Sequence, residues 1–242
     1  MESIIVFGSN GKIGSRICEQ GKQERYKVIG LSRGANSKCD VYFDVDFLDY
    51  NSLVNVVEKI AFEDIKAIFF CQRSRLHSNQ SRNNLIKGLE TELNPIFVIK
   101  DKLKSLKIKQ YINIVTMTSN TTKHWNHDTD YNYHVIKSSV LEASLGLSFC
   151  NKNCNINSNI LRFGEILDER KKEHSPIKIK IFDKIKEIIN SNDIVSIDKI
   201  CNMAMILARA DEFLMNGEII TLDKGLSKVS QESIIRSFYK DT

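Results

Sequence analysis

The chain has no apolar run long enough to cross a membrane, no C-x-x-C pair, no low-complexity tract and no block of like charges. Each absence removes a class of function. The opening Met-Glu-Ser-Ile-Ile-Val-Phe-Gly lacks a basic n-region, and its apolar stretch is too short for a signal peptide, so the chain is read as cytoplasmic with no membrane partner. The six cysteines (Cys18, Cys39, Cys71, Cys150, Cys154, Cys201) are scattered, which fits reduced thiols better than a disulfide framework or a zinc site; no metal is expected. The net charge is +5, but lysines such as Lys100, Lys102, Lys104, Lys107 and Lys109 are interspersed with other residues, as on a solvated face, and no nucleic-acid partner is expected. A mildly basic surface can still draw a phosphorylated cofactor into a cleft.

What is present is an ordinary globular composition, 42% apolar and 27% charged over 242 residues, enough for one domain (1–242) with its own core. Apolar runs at 4–7, 26–31, 41–43, 65–71, 111–117, 156–163 and 217–222 read as strands. Between them, 12–20, 50–60, 80–106, 131–147 and 197–210 carry helical spacing, with Pro95 marking a kink or a fresh start in the third. Strands alternating with helices predict an α/β fold, a single Rossmann-like doubly wound parallel sheet with helices on both faces. Residues 165–192, rich in Lys and Glu around Pro176, read as a mobile lid, and there is no internal repeat or interdomain linker.

Gly8-Ser9-Asn10-Gly11-Lys12-Ile13-Gly14 falls at the first strand-to-helix junction, where backbone N–H groups and the helix dipole favour a pyrophosphate. The second strand ends at Leu31-Ser32-Arg33, with no carboxylate to accept from a ribose 2′-hydroxyl. Ser32 and Arg33 can instead bind a 2′-phosphate, so NADP is expected in preference to NAD. Asp44 and Val45, after the third strand, are placed to contact the adenine.

Tyr133 and Lys137 stand at i and i+4, on one face of a helix. A tyrosine hydroxyl ordinarily titrates at about 10, and a neighbouring ammonium favours its ionised form, so such a pair suits proton transfer to a carbonyl oxygen. Seven tyrosines in a lysine-rich chain yield on the order of one such pair by chance. Position adds weight: the preceding strand ends Ile112-Asn113-Ile114-Val115-Thr116-Met117-Thr118-Ser119, at the carboxyl edge of the sheet where ligands of open α/β folds bind.

The glycine turn, the strand-end hydroxyl, Tyr133 and Lys137 together resemble the short-chain dehydrogenases/reductases, nearly end to end. Leu93-Asn94-Pro95-Ile96-Phe97 is similar to the family's helix segment with its fourth catalytic residue, here Asn94. Leu161-Arg162-Phe163-Gly164-Glu165-Ile166 is similar to the turn whose backbone holds the nicotinamide carboxamide, and Asn216 to Gly225 to the last strand and its ending. The resemblance implies that Ser119 holds the substrate carbonyl, Tyr133 transfers the proton, Lys137 binds the nicotinamide ribose, and Asn94 supports a relay water. It implies a carbonyl/alcohol oxidoreductase using NADP or NAD on a polar small molecule. It also implies a homodimer or homotetramer paired through 80–106 and 131–147, with Leu103, Val140 and Leu147 as a seam.

Four departures bear on this reading. Lys12 stands where many members have glycine, Cys71-Gln72-Arg73-Ser74 replaces the Asn-Asn-Ala-Gly segment along the cofactor wall, Phe163 replaces a proline, and Thr116 or Thr118 aligns in place of Ser119 if the strand ends earlier. They motivate an alternative, a non-catalytic dinucleotide sensor or scaffold of the same fold. An epimerase or dehydratase with tightly held cofactor is a second rival, for whose larger substrate domain little chain remains. The loop containing His124, Trp125 and His127 is expected to line a polar substrate pocket, and a Ser119, His124, Asp128 hydrolase triad is disfavoured because no G-x-S-x-G elbow is present.

Overall fold

The computed structural model describes residues 1–35, 38–74, 81–122, 131–149, 154–166, 176–189, 195–209 and 215–229. Seven strands, β1 (Ser3–Phe7), β2 (Lys27–Ser32), β3 (Val41–Asp44), β4 (Ile65–Phe70), β5 (Ile108–Ser119), β6 (Cys154–Phe163) and β7 (Ile219–Leu222), form one all-parallel sheet in the order β3-β2-β1-β4-β5-β6-β7. The helices are α1 (Lys12–Gln23), α2 (Tyr50–Glu58), α3 (Arg82–Ser105), α4 (Tyr131–Leu147), α5 (Pro176–Ile188) and α6 (Ile197–Arg209). The expected doubly wound parallel architecture is therefore present. The order reverses between β1 and β4, which opens a crevice at their carboxyl ends.

Alternation along the buried strands divides the core between the two faces of the sheet. Ile5, Phe7, Ile68, Phe70, Ile112 and Ile114 pack with the α2, α3 and α4 side chains. Ile4, Val6, Ala67, Phe69, Val115 and Met117 pack with α1 and α6. Burying such side chains is worth about 1.5–3 kcal/mol each, and side chains on both faces of the central strands are fully enclosed, which explains the near-continuous apolar runs.

Asp49 and Ser81 cap α2 and α3 by accepting from the backbone N–H groups of Ser52 (2.9 Å) and Asn84 (3.3 Å). Pro95 does not break α3, which runs through it as one helix. It does remove the donor for the Thr91 carbonyl, and in the same turn Gln72 Nε2 donates to the Glu92 carbonyl at 2.8 Å. Leu103, Val140 and Leu147, expected on an intersubunit seam, instead lie in the core with 1–2% exposure, because they occupy the sheet-facing stripes of their helices. Part of the expected lid, 176–188, is the helix α5; residues 167–175 and 190–192 lie outside the described residues. No helix among the described residues is long and apolar enough to cross a membrane.

Candidate active site

A cleft of about 700 Å³ runs along the carboxyl edge of the sheet. One end is built by the glycine turn. Gly8 adopts φ +75°, and a Cβ there would stand 2.8 Å from the Gln72 backbone, so only glycine lets β1 turn under the loop after β4. Gly11 N donates to the Gly8 carbonyl at 2.8 Å and begins α1. Gly8, Asn10, Gly11, Lys12 and Ile13 line the cleft. Ser9 is buried behind the turn, its Oγ 3.3 Å from Ser32 Oγ, and Gly14 packs against the Gly8 carbonyl.

The end of β2 is tied to this turn. Asn10 Nδ2 donates to the Arg33 carbonyl at 2.6 Å, and the Tyr42 hydroxyl of β3 donates to the Ser32 carbonyl at 2.6 Å. Ser32, Arg33 and Val45 line the cleft as expected; Asp44 does not, its carboxylate accepting instead from Gly34 N at 3.0 Å. Asp46 and Phe47 also line it, and Arg33 Nη1 lies 3.7 Å from Asp46 Oδ2 with both side chains exposed.

Tyr133 and Lys137 occupy the other end, with Met117, Thr118, Phe163 and Ile166. The first turn of α4 is pinned by Asn132 Nδ2 donating to the Ser81 carbonyl (3.1 Å) and by His134 Nδ1, 3.0 Å from the Thr121 carbonyl, so His134 is a packing residue. Lys137 Nζ lies 5.7 Å from the Tyr133 ring centroid, and Arg73 Cζ 5.3 Å from it.

The strand-end hydroxyl on this side of the sheet is Thr118. Even-numbered residues of β5 face α3 and α4, as Ile112 and Ile114 do, while Met117 and Val115 pack with the opposite core. Thr118 lines the cleft, and its Oγ1 donates to the Lys137 carbonyl at 3.3 Å. Ser119 is one residue out of phase; its Oγ accepts from Thr121 N at 3.4 Å, and it is not part of the cleft lining. Thr116 has the right parity but lies deeper, fully buried, with its hydroxyl unpartnered.

Asn94 also stands apart from Lys137, donating through Nδ2 to the Phe47 carbonyl at 2.8 Å. The side chain on Lys137 is Glu92, which the sequence reading missed. Its Oε2 lies 2.6 Å from Lys137 Nζ, and its Oε1 accepts from Ser74 N (2.9 Å) and Ser74 Oγ (3.0 Å). The signal was available. Leu85, Leu89, Glu92, Ile96, Ile99 and Leu103 follow helical spacing, so Glu92 stands in the apolar stripe of α3, where a carboxylate requires a cation.

Cys71 and Gln72 line the cleft as expected, with Arg73 and Thr91 beside them; burial pushes the Cys71 thiol up, keeping it neutral. Of the turn after β6, Ile166 reaches the cleft and Gly164 borders a separate small cavity. Below that turn Asp223 accepts from Asn120 Nδ2 (3.0 Å), Gly225 N (3.0 Å) and Ser227 N (2.9 Å). Burial alone would raise the Asp223 carboxyl, but these bonds outweigh it and hold the group below the usual carboxylate range. His124, Trp125, His127 and Asp128 lie outside the described residues.

Known proteins share this fold. Residues 4–116 match the model of the NAD dependent epimerase/dehydratase family, a span that covers the glycine turn and ends before Tyr133. No curated protein matches the sequence. Among solved structures, 4-hydroxyisoleucine dehydrogenase complexed with NADH superposes with a TM-score of 0.79 at 16% identity, covering 95% of this chain and 100% of its own. A short chain dehydrogenase from Burkholderia cenocepacia in complex with NADP gives 0.78 at 13% identity (93% and 98% covered), and one from Bacillus anthracis gives 0.74 at 17% (95% and 98%). The chain thus has the fold of the short-chain dehydrogenases/reductases, and its N-terminal half is similar to the NAD-dependent epimerase/dehydratase family.

Proposed function

We propose that the chain is an NADP(H)-dependent oxidoreductase that interconverts a carbonyl and an alcohol on a polar small molecule. The observation that carries this reading is the cleft itself: one continuous depression joins the glycine turn to Tyr133 and Lys137, brought together from opposite halves of the chain. A dinucleotide fits the residues present. The glycine turn lines the cleft, Lys12 and the amino end of α1 suit a pyrophosphate, and Arg33 suits a 2′-phosphate.

When bound, the nicotinamide exchanges hydride with the substrate carbon. The protein's own part is positioning and proton transfer. Thr118 Oγ1 turns its hydrogen from the Lys137 carbonyl to the substrate oxygen, and the Tyr133 hydroxyl delivers or takes the substrate's proton. Lys137 presents an ammonium beside Tyr133, and Glu92 fixes that ammonium while its second oxygen holds the Cys71 to Ser74 segment.

The test is Tyr133→Phe, which keeps the ring but removes the transferable proton. NADPH oxidation with a panel of carbonyl compounds should fall by roughly a hundredfold or more, while NADPH affinity barely changes. Wild-type turnover that survives this substitution rejects the mechanism.

A further inference from the structure

Three consecutive residues before β3 each touch the same face of α1. Lys38 pairs with Glu19 at 2.5 Å, Asp40 pairs with Lys22 at 3.1 Å, and between them the Cys39 sulfur lies 3.6 Å from that of Cys18. Asp40 also accepts from Val28 N at 2.8 Å, so the segment is fixed from both sides. Both cysteines are free thiols; Cys18 is fully buried and Cys39 half-buried. Gly30 makes the arrangement possible, since a Cβ there would occupy the space filled by Cys39 Sγ and Ser9 Oγ. Nothing in the proposed reaction uses this pair, which packs on the α1 side of the sheet, opposite α4.

We infer that Cys18 and Cys39 form a reversible redox modification site, closed to a disulfide by a peroxide. A disulfide needs its sulfurs at about 2.0 Å, an approach of little more than an ångström and a half from where they stand. The two thiols differ in the way such chemistry requires. The Cys39 thiol is held below its ordinary range by its hydrogen bond with Cys18, by Ser9 and by the Lys22 charge, whereas that same bond and burial push Cys18 up. Cys39 is also the less buried residue of the two. It is therefore the nucleophile and Cys18 the resolving thiol. The Cys39 sulfur attacks hydrogen peroxide, breaking the O–O bond to give Cys39 sulfenic acid and one water. The Cys18 sulfur then displaces the hydroxyl, forming the S–S bond and releasing a second water. Two thiols are oxidised and one peroxide is reduced.

Closure draws Cys39 toward α1 and away from Ser9, which belongs to the glycine turn and also contacts Ser32. If the cofactor reading above holds, NADPH affinity of the oxidised protein falls about fivefold, the value of one hydrogen bond.

The experiment exposes the full chain to hydrogen peroxide, alkylates it with N-ethylmaleimide under denaturing conditions, and maps the peptides by mass. The expected product is a peptide pair joining Cys18 to Cys39, two hydrogens lighter than its parts and separated again by dithiothreitol. In Cys18→Ala the Cys39 sulfenic acid persists and is captured by dimedone; in Cys39→Ser no cross-link involving Cys18 forms. Recovery of both wild-type residues as alkylated thiols, or a cross-link from either to another cysteine, overturns the assignment without reference to either variant. A reduced protein that forms the bond but binds no NADPH keeps the redox site and removes the cofactor reading; NADPH binding without the bond does the opposite.

Discussion

Lys137 Nζ and Glu92 Oε2 form an ion pair at 2.6 Å with both side chains at least 95% buried, one from α4 and one from α3. A buried carboxylate left without its cation is costly, so Lys137→Met should destabilise the protein by about 3–5 kcal/mol. Removing both charges, in Glu92→Met with Lys137→Met, should recover much of that loss, with Ser74 N and Oγ left as the remaining cost. Urea denaturation of the three proteins measures this, and an additive double variant would show that the two groups are not coupled.

The parity of β5 separates two hydroxyls that are adjacent in sequence. Thr118→Val keeps the shape of the side chain and removes the hydroxyl that lines the cleft with Tyr133, so turnover should fall roughly a hundredfold, as for loss of one donor to a reacting oxygen. Ser119→Ala should leave turnover within about twofold of wild type. Steady-state rates of the two variants decide between them; the reverse order would restore Ser119 to the site.

Much of the architecture was legible because it is local. Apolar runs and helical spacing locate every one of the seven strands, and Tyr133 and Lys137 show themselves by being one turn apart. Thr118 and Ser119 could not be told apart by reading alone, since a shift of one residue at a strand end turns every side chain to the other face. Glu92 was missed for a different reason. Its partners, Ser74 and Lys137, are 18 and 45 residues away, and only packing joins them. Asn94 was assigned from resemblance, but two residues along a helix is more than half a turn, which directs it toward Phe47 instead of Lys137.

Arg33 follows β2 with an exposed side chain whose described acidic neighbour, Asp46, is 3.7 Å away. A bound 2′-phosphate offers it a stronger, doubly charged partner. Arg33→Ala should therefore weaken NADPH binding by roughly tenfold and leave NADH unchanged. Fluorescence titration with both nucleotides gives the answer, and equal losses for the two would assign Arg33 some other role.

Asp223 is a carboxylate whose folded value is depressed, so the sign of its contribution follows. It stabilises the native state above the unfolded value of about 4, and that stability is lost as pH falls through the lower folded value. Asp223→Asn should cost about 1–2 kcal/mol near neutral pH and less in acid, where the wild-type group is protonated as well. Denaturant midpoints measured from pH 7 to pH 3 test this; a constant difference between the proteins would mean that the bonds from Asn120, Gly225 and Ser227 do not depend on its charge.

The strand order has a consequence for the chain while it is being made. After β1, β2 and β3 have emerged, β4 pairs with the free side of β1, and β5, β6 and β7 each pair with the strand that left the ribosome just before. No strand has to be threaded between two already joined, so the sheet can grow at one open edge in step with translation. The residues of the glycine turn thus leave the ribosome before Tyr133 and Lys137 have been synthesised, and the Tyr133 end of the cleft is the later addition.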